Sequence, residues 1–97
     1  MPYTVFQTEA FLEWRDRLRD ERAKAIIARR IERVTAGSLG DVKSVGRGVS
    51  EMRIVYGPGY RLYFAIRRRV VVILLVGGDK GTQRTDIRRA RELAKEI

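Results

Sequence analysis

The chain has 97 residues, 44% hydrophobic and 34% charged, which supplies one core and leaves no room for a second domain. Its 21 basic and 12 acidic residues give a formal charge of +9, mostly as arginine, and point to a polyanion or an acidic protein as partner. With neither Cys nor His, disulfides, thiolate nucleophiles, Cys-based zinc and the usual acid–base group near neutral pH are excluded.

The longest apolar run, Val70 to Val76, is too short to span a bilayer, and the N-terminus lacks a signal-peptide pattern. The expectation is a cytoplasmic domain over residues 1–97, without membrane partner, metal or cofactor.

Tyr3 to Gln7 alternates and carries β-branched and aromatic residues, so it reads as a first strand. Thr8 suits an N-cap, with Glu9 in the first turn. Phe11, Trp14 and Leu18 then recur at helical spacing, as do Ile27, Ile31 and Val34 in a second segment that Gly37 can end. A helical hairpin broken near Asp20 to Ala23 follows. Beyond Asp41 the period becomes two. Val42 to Val45 is a candidate strand, and Val49 to Tyr56 and Tyr60 to Ile66 flank Gly57-Pro58-Gly59 as a β-hairpin. Arg67 to Arg69 is a turn. Val70 to Val76, apolar on both faces, is a central strand ended by Gly77-Gly78. Thr82 or Thr85 then caps a last helix bearing Ile87, Ala90, Leu93 or Ala94, and Ile97. The expected order is β-α-α-β-β-β-α, with three consecutive strands in an antiparallel meander: an α+β domain with helices on one face of a small sheet.

Alternation places Met52, Ile54 and Tyr56, with Leu62, Phe64 and Ile66, toward the helices. The opposite face then carries Glu51, Arg53, Val55, Arg61, Tyr63 and Ala65. If a three-residue turn pairs Tyr56 with Tyr60, Arg53 stands across from Tyr63 and diagonal to Arg61, about 7–8 Å away, which lets both cations grip one phosphate. Lys80 directly follows the central strand, and Lys43 and Arg47 extend the basic surface. A lone arginine or lysine on such a face is ordinarily a solvated residue; the convergence of several on one side is what suggests a site. Arg84, Arg88, Arg91 and Lys95 form a stripe on the last helix, a pattern that is usually a solvated helix face.

The segments Glu51-Met-Arg-Ile54, Gly57-Pro-Gly-Tyr-Arg-Leu-Tyr-Phe64 and Leu74-Leu-Val-Gly-Gly-Asp-Lys-Gly-Thr-Gln83 resemble the RelE/ParE toxin superfamily, in its HigB-like "addiction module killer protein" branch. The likeness extends from Phe11-Leu-Glu-Trp14 to Asp86-Ile-Arg-Arg-Ala90. It implies a RelE-like fold, with two N-terminal helices on a small antiparallel sheet and a C-terminal helix. It also implies the toxin of a type II toxin–antitoxin module, an mRNA endoribonuclease acting on the ribosome and neutralised by a helix-turn-helix antitoxin.

Family sites use basic residues on the sheet, and the matching positions are Arg53, Arg61 and Lys80 as catalytic candidates. Lys43, Arg47, Tyr63 and Gln83 are candidates for nucleic-acid contact, and Arg84, Arg88 and Arg91 for antitoxin contact. Metal-independent cleavage would use the RNA 2′-hydroxyl as nucleophile. Several family nucleases carry a Tyr or His near the C-terminus, and residues 81 to 97 hold neither. A ParE-like gyrase inhibitor and a non-catalytic nucleic-acid-binding member are the alternatives.

Overall fold

The computed structural model describes residues 2–97, in the order β1 (Thr4–Gln7), α1 (Glu9–Arg17), α2 (Glu21–Thr35), β2 (Val42–Gly46), β3 (Val49–Ile54), β4 (Tyr60–Arg67), β5 (Val71–Asp79), a 3-10 turn (Lys80–Thr82) and α3 (Gln83–Ala94). The strands form one five-stranded sheet ordered β1-β5-β4-β3-β2, with β1 parallel to β5 and the remaining pairs antiparallel. The meander has four consecutive strands, β2 to β5, one for each of the four segments read as strands, where the expected order counted three.

The helical hairpin breaks where two polar side chains replace backbone partners. Thr8 accepts from the Phe11 N–H at the start of α1, and Asp20 accepts from the Arg22 and Ala23 N–H groups at the start of α2. Gly37, at φ 107°, ends α2 after Ala36 by donating to the Val34 carbonyl.

Helices cover both faces of the sheet rather than one. Phe11 of α1 and Ala23, Ile27, Ile31 and Val34 of α2 pack with Met52, Ile54, Leu62, Phe64, Val72 and Leu74. On the other face Ala90 and Ala94 of α3 pack with Val49, Tyr63, Ala65, Leu75 and Val76. Small residues on α3 let the helix lie close to the strands, so a face that reads as open in β3 and β4 is covered over most of its length. Ile66, expected in the core, is 36% exposed at the end of β4.

Two registers differ from expectation. Ile54, not Tyr56, pairs with Tyr60, so the hairpin loop is Val55–Gly59. The Tyr56 hydroxyl donates to Asp20 Oδ2 at 3.0 Å, which holds Tyr56 against the N-terminus of α2 instead of in the ladder. In β5, Tyr63 pairs with Val76 and Phe64 with Leu74, leaving Leu75 as a bulge. The Thr8 hydroxyl donates to the Leu75 carbonyl at 2.6 Å.

The central strand also continues through Gly77-Gly78 to Asp79. A Cβ on Gly77 would overlap the Trp14 ring, and one on Gly78 would overlap the Asp86 carboxylate. The glycines let α1 and α3 close on the strand without ending it. Asp79 then caps the 3-10 turn by accepting from the Gly81 N–H; Thr82 stands at the N-cap of α3, as expected, but its hydroxyl donates to Asp86 Oδ2 and makes no capping hydrogen bond.

Candidate functional site

Beyond the N-terminus of α3 the sheet face is uncovered, and there the hairpin register brings the basic residues together. Arg53 and Arg61 are directly opposed on β3 and β4, closer than the diagonal arrangement expected, while Tyr63 is opposed to Glu51. Gly78 stands on the other side of Arg61. Lys80 opens the turn after β5. A Cβ placed on Gly59 would lie 3.3 Å from Arg61 Nη1 and 3.4 Å from Lys80 Cβ, so Gly59 (φ 80°) is where these two side chains meet. Arg53, Arg61, Lys80, Asp41 and the loop Val55–Gly59 line a cleft of about 470 Å³.

Each of the two arginines is paired with a carboxylate. Arg53 Nη2 donates to Asp41 Oδ1 at 2.9 Å in a half-exposed pair. That hydrogen bond holds the Asp41 carboxyl below its ordinary range and pushes the Arg53 guanidinium further up. Arg61 is more enclosed, with its side chain 13% exposed; its Nε lies 3.7 Å from Glu51 Oε1, and its Nη1 donates to the Gly59 and Tyr60 carbonyls. The Nε–H groups of both arginines have no hydrogen-bond partner among the described residues.

Glu51, 3% exposed, is the buried node of this arrangement. Its Oε2 accepts from the Tyr63 hydroxyl at 3.0 Å and from Gln83 Nε2 at 2.8 Å. Burying a carboxylate without hydrogen-bond donors is costly, and these two donors meet that need. Burial, together with the hydrogen bond to Glu51, pushes the Tyr63 phenol well above its usual range. Tyr63 is fully buried. It therefore presents no ring to a base, contrary to its expected place on an open face, and Gln83 is turned to Glu51.

Lys43 is exposed on edge strand β2, opposite Glu51. Arg47 lies elsewhere: the β2–β3 turn is at the end of the sheet away from the cleft, so Arg47 does not extend the cleft as expected. It lines a separate groove of about 470 Å³ with Arg84, Arg88, Arg91 and Lys95. There Arg91 donates to the Val45 carbonyl and ties α3 to β2.

Spacing does not single out Arg30. From α2 its Nη1 donates to the Arg53 carbonyl and its Nη2 to the Leu39 and Asp41 carbonyls, fixing the loop that presents Asp41. An arginine on an amphipathic helix resembles any solvated cation; only the Gly at position 40, where a Cβ would lie 2.5 Å from Arg30 Nη2, hints at a close approach.

Opposed guanidiniums, a lysine and a cleft open to solvent suit the grip of a phosphate and the stabilisation of charge growing on it. The family model described as "Phage derived protein Gp49-like" matches residues 13–96. The chain belongs to this Gp49-like family. An uncharacterized protein of Haemophilus influenzae is 46% identical over 97 residues, covering 100% of this chain and 98% of that protein. Among solved structures, a doubly substituted E. coli toxin RelE in the free state superposes with a TM-score of 0.75 at 19% identity, over 95% of this chain and 97% of that one. A chain of the toxin–antitoxin complex RelBE2 from Mycobacterium tuberculosis gives 0.67 at 24% identity, over 82% of this chain and 100% of that one. The fold is RelE-like.

Proposed function

We propose that the chain is the toxin of a type II toxin–antitoxin module, of the HigB-like kind, which cuts messenger RNA bound to the ribosome. The observation that carries this reading is the opposed Arg53–Arg61 pair, with Lys80, in one open cleft of a RelE-like sheet. In the proposed reaction the RNA 2′-oxygen attacks the adjacent phosphorus and the bond to the 5′-oxygen breaks. This leaves a 2′,3′-cyclic phosphate; one proton leaves the nucleophile and one reaches the departing oxygen. Arg53 and Arg61 stabilise the extra charge on the phosphorane, since a guanidinium stays ionised and offers a fork of donors. Glu51 orients Arg61 from below. Lys80 supplies the amine at the cleft. The ribosome holds the RNA in line, which lowers the demand on the protein's own acid–base groups. Neutralisation falls to a cognate antitoxin, of helix-turn-helix type, acting in the cytoplasm.

The test is induction in a bacterial host, with primer extension on a reporter mRNA and a DNA-supercoiling assay alongside. New 5′ ends on the message with unchanged supercoiling support the reading; the reverse result assigns the chain to gyrase. On programmed ribosomes, Arg61→Ala and Arg53→Ala should each slow cleavage by roughly 10²–10³, the usual effect of losing one preorganised donor. If Lys80 carries a proton, Lys80→Arg loses nearly as much cleavage as Lys80→Ala; if it is a clamp, Lys80→Arg keeps most of the rate.

A further inference from the structure

Three arginines occupy backbone conformations that favour glycine or asparagine. Arg47, Arg68 and Arg69 have φ of 54°, 54° and 66°. Arg47 and Gly48 form the two-residue turn between β2 and β3, closed by the Gly46–Val49 pair. Arg68 and Arg69 are the central residues of the turn after β4, closed by the Val70 N–H on the Arg67 carbonyl at 3.3 Å. In tight hairpins with both central residues at positive φ, Asn-Gly is strongly favoured, because a Cβ there crowds the following carbonyl. Arginine at these positions brings charge to the tip of a hairpin at the expense of backbone ease.

Both turns lie at the same end of the sheet. β3 runs from the first turn to the cleft hairpin and β4 runs back to the second, so the cleft and the two tips are at opposite ends. Arg67 is committed to the fold, donating to the Ala94 carbonyl at the end of α3, as is Arg91 through the Val45 carbonyl. Arg47, Arg68 and Arg69 are exposed, and no carboxylate among the described residues pairs with them.

We propose that Arg47, Arg68 and Arg69 form a second surface that binds the phosphate backbone of RNA, at the end of the sheet remote from the cleft. The surface rests on the reading of this chain as an RNA-directed protein, and adds to it an anchoring function that takes no part in cleavage. A backbone of regularly spaced phosphates needs only exposed cations, here Arg68 and Arg69 at one tip and Arg47 at the other, where it also borders the groove along α3. Two exposed apolar groups, Ile66 and Val70 (36% and 37%), flank the tips. The tips themselves carry three guanidiniums unpaired among the described residues, which suit a phosphate backbone better than the desolvated apolar centre of a protein interface.

The test exploits the unfavourable backbone. In the full chain, Arg68→Asn combined with Arg69→Gly supplies the residues the turn prefers, so the melting temperature should rise. Binding to a fully 2′-O-methylated RNA hairpin, which resists cleavage, should weaken, and the slope of log affinity against log salt should fall by about 2, one for each phosphate that is no longer neutralised. Arg47→Asn should remove about 1 more by itself. Arg61→Ala, at the cleft, should leave the tips' share of the slope intact. A double variant that keeps the wild-type affinity and slope overturns the tip surface. So does one that loses affinity only for the antitoxin, which would make the tips a protein contact. If the wild-type chain itself shows no salt-dependent affinity for the hairpin, the RNA reading falls as a whole.

Discussion

Arg53 meets a competitor before it meets any ligand. Asp41 occupies one nitrogen of its fork at 2.9 Å, and Arg30 holds the loop that carries Asp41 through two carbonyls on that loop. An exposed pair of this kind adds little to stability. Its larger effect is on the site, because a phosphate must displace the carboxylate or share the guanidinium with it. Asp41→Asn should therefore tighten binding of a non-cleavable RNA at neutral pH, by severalfold on a Coulombic argument in high dielectric, as read by fluorescence anisotropy. The same substitution fixes the sign of a pH effect. The Asp41 carboxyl is held below its ordinary value of 3.8, chiefly by the hydrogen bond from Arg53. Its contribution to folding is complete above that value and is lost as the pH falls through the lower, folded one. Urea titrations between pH 5 and 2 should show wild type losing an advantage that Asp41→Asn never has. A wild-type affinity in the variant would mean that Arg53 is not reached by RNA.

Among the elements, β5 and its two glycines decide how closely the helices approach. The Trp14 ring lies over Gly77, in tilted contact with Phe11 at 5.6 Å between ring centroids. Gly77→Ala forces that ring off the strand and should cost about 1–3 kcal/mol by overpacking, seen as a lower urea midpoint at unchanged m-value. An unchanged midpoint would show that α1 can shift freely. This element also marks where sequence patterns stop being legible. The helical hairpin can be read because Phe11, Ile27, Ile31 and Val34 keep a helical period and Asp20 interrupts it. β5 is evident from its apolar run, yet its bulge at Leu75 is not, since two adjacent apolar residues look alike whichever face they take. Gly57-Pro58-Gly59 suggests a three-residue turn, whereas Tyr56 is drawn to Asp20 and Val55 is left 97% exposed. At the site, alternation alone brings Arg53 and Arg61 to one face. The burial of Glu51 and Tyr63 depends on α3 crossing that face. The stripe of Ile87, Ala90 and Ala94 marks an amphipathic last helix, but nothing in it says that the helix packs on the face opposite α1 and α2.

Across the whole molecule three basic surfaces bear on function: the cleft, the hairpin tips and the groove along α3, which shares Arg47 with the tips. The groove differs from the tips in being concave, with Ile87 on its wall beside Arg84, Arg88 and Arg91. An acidic, partly apolar segment fits that combination better than a bare phosphate does, which favours this groove for the proposed antitoxin. Charged pairs of this kind on the rim of an interface act mainly through the association rate and are screened by salt. Affinity for the antitoxin should therefore fall between low and high ionic strength. Arg88→Glu, placing a like charge against the acidic partner, should weaken it by about tenfold or more. Because no α3 residue among those described lines the cleft, Arg88→Glu should leave the cleavage rate on programmed ribosomes near that of wild type. A toxin that escapes its antitoxin while cutting normally is the expected outcome in a co-expression assay. Salt-independent affinity, or full neutralisation of Arg88→Glu, would move the antitoxin off this groove and onto another part of the surface.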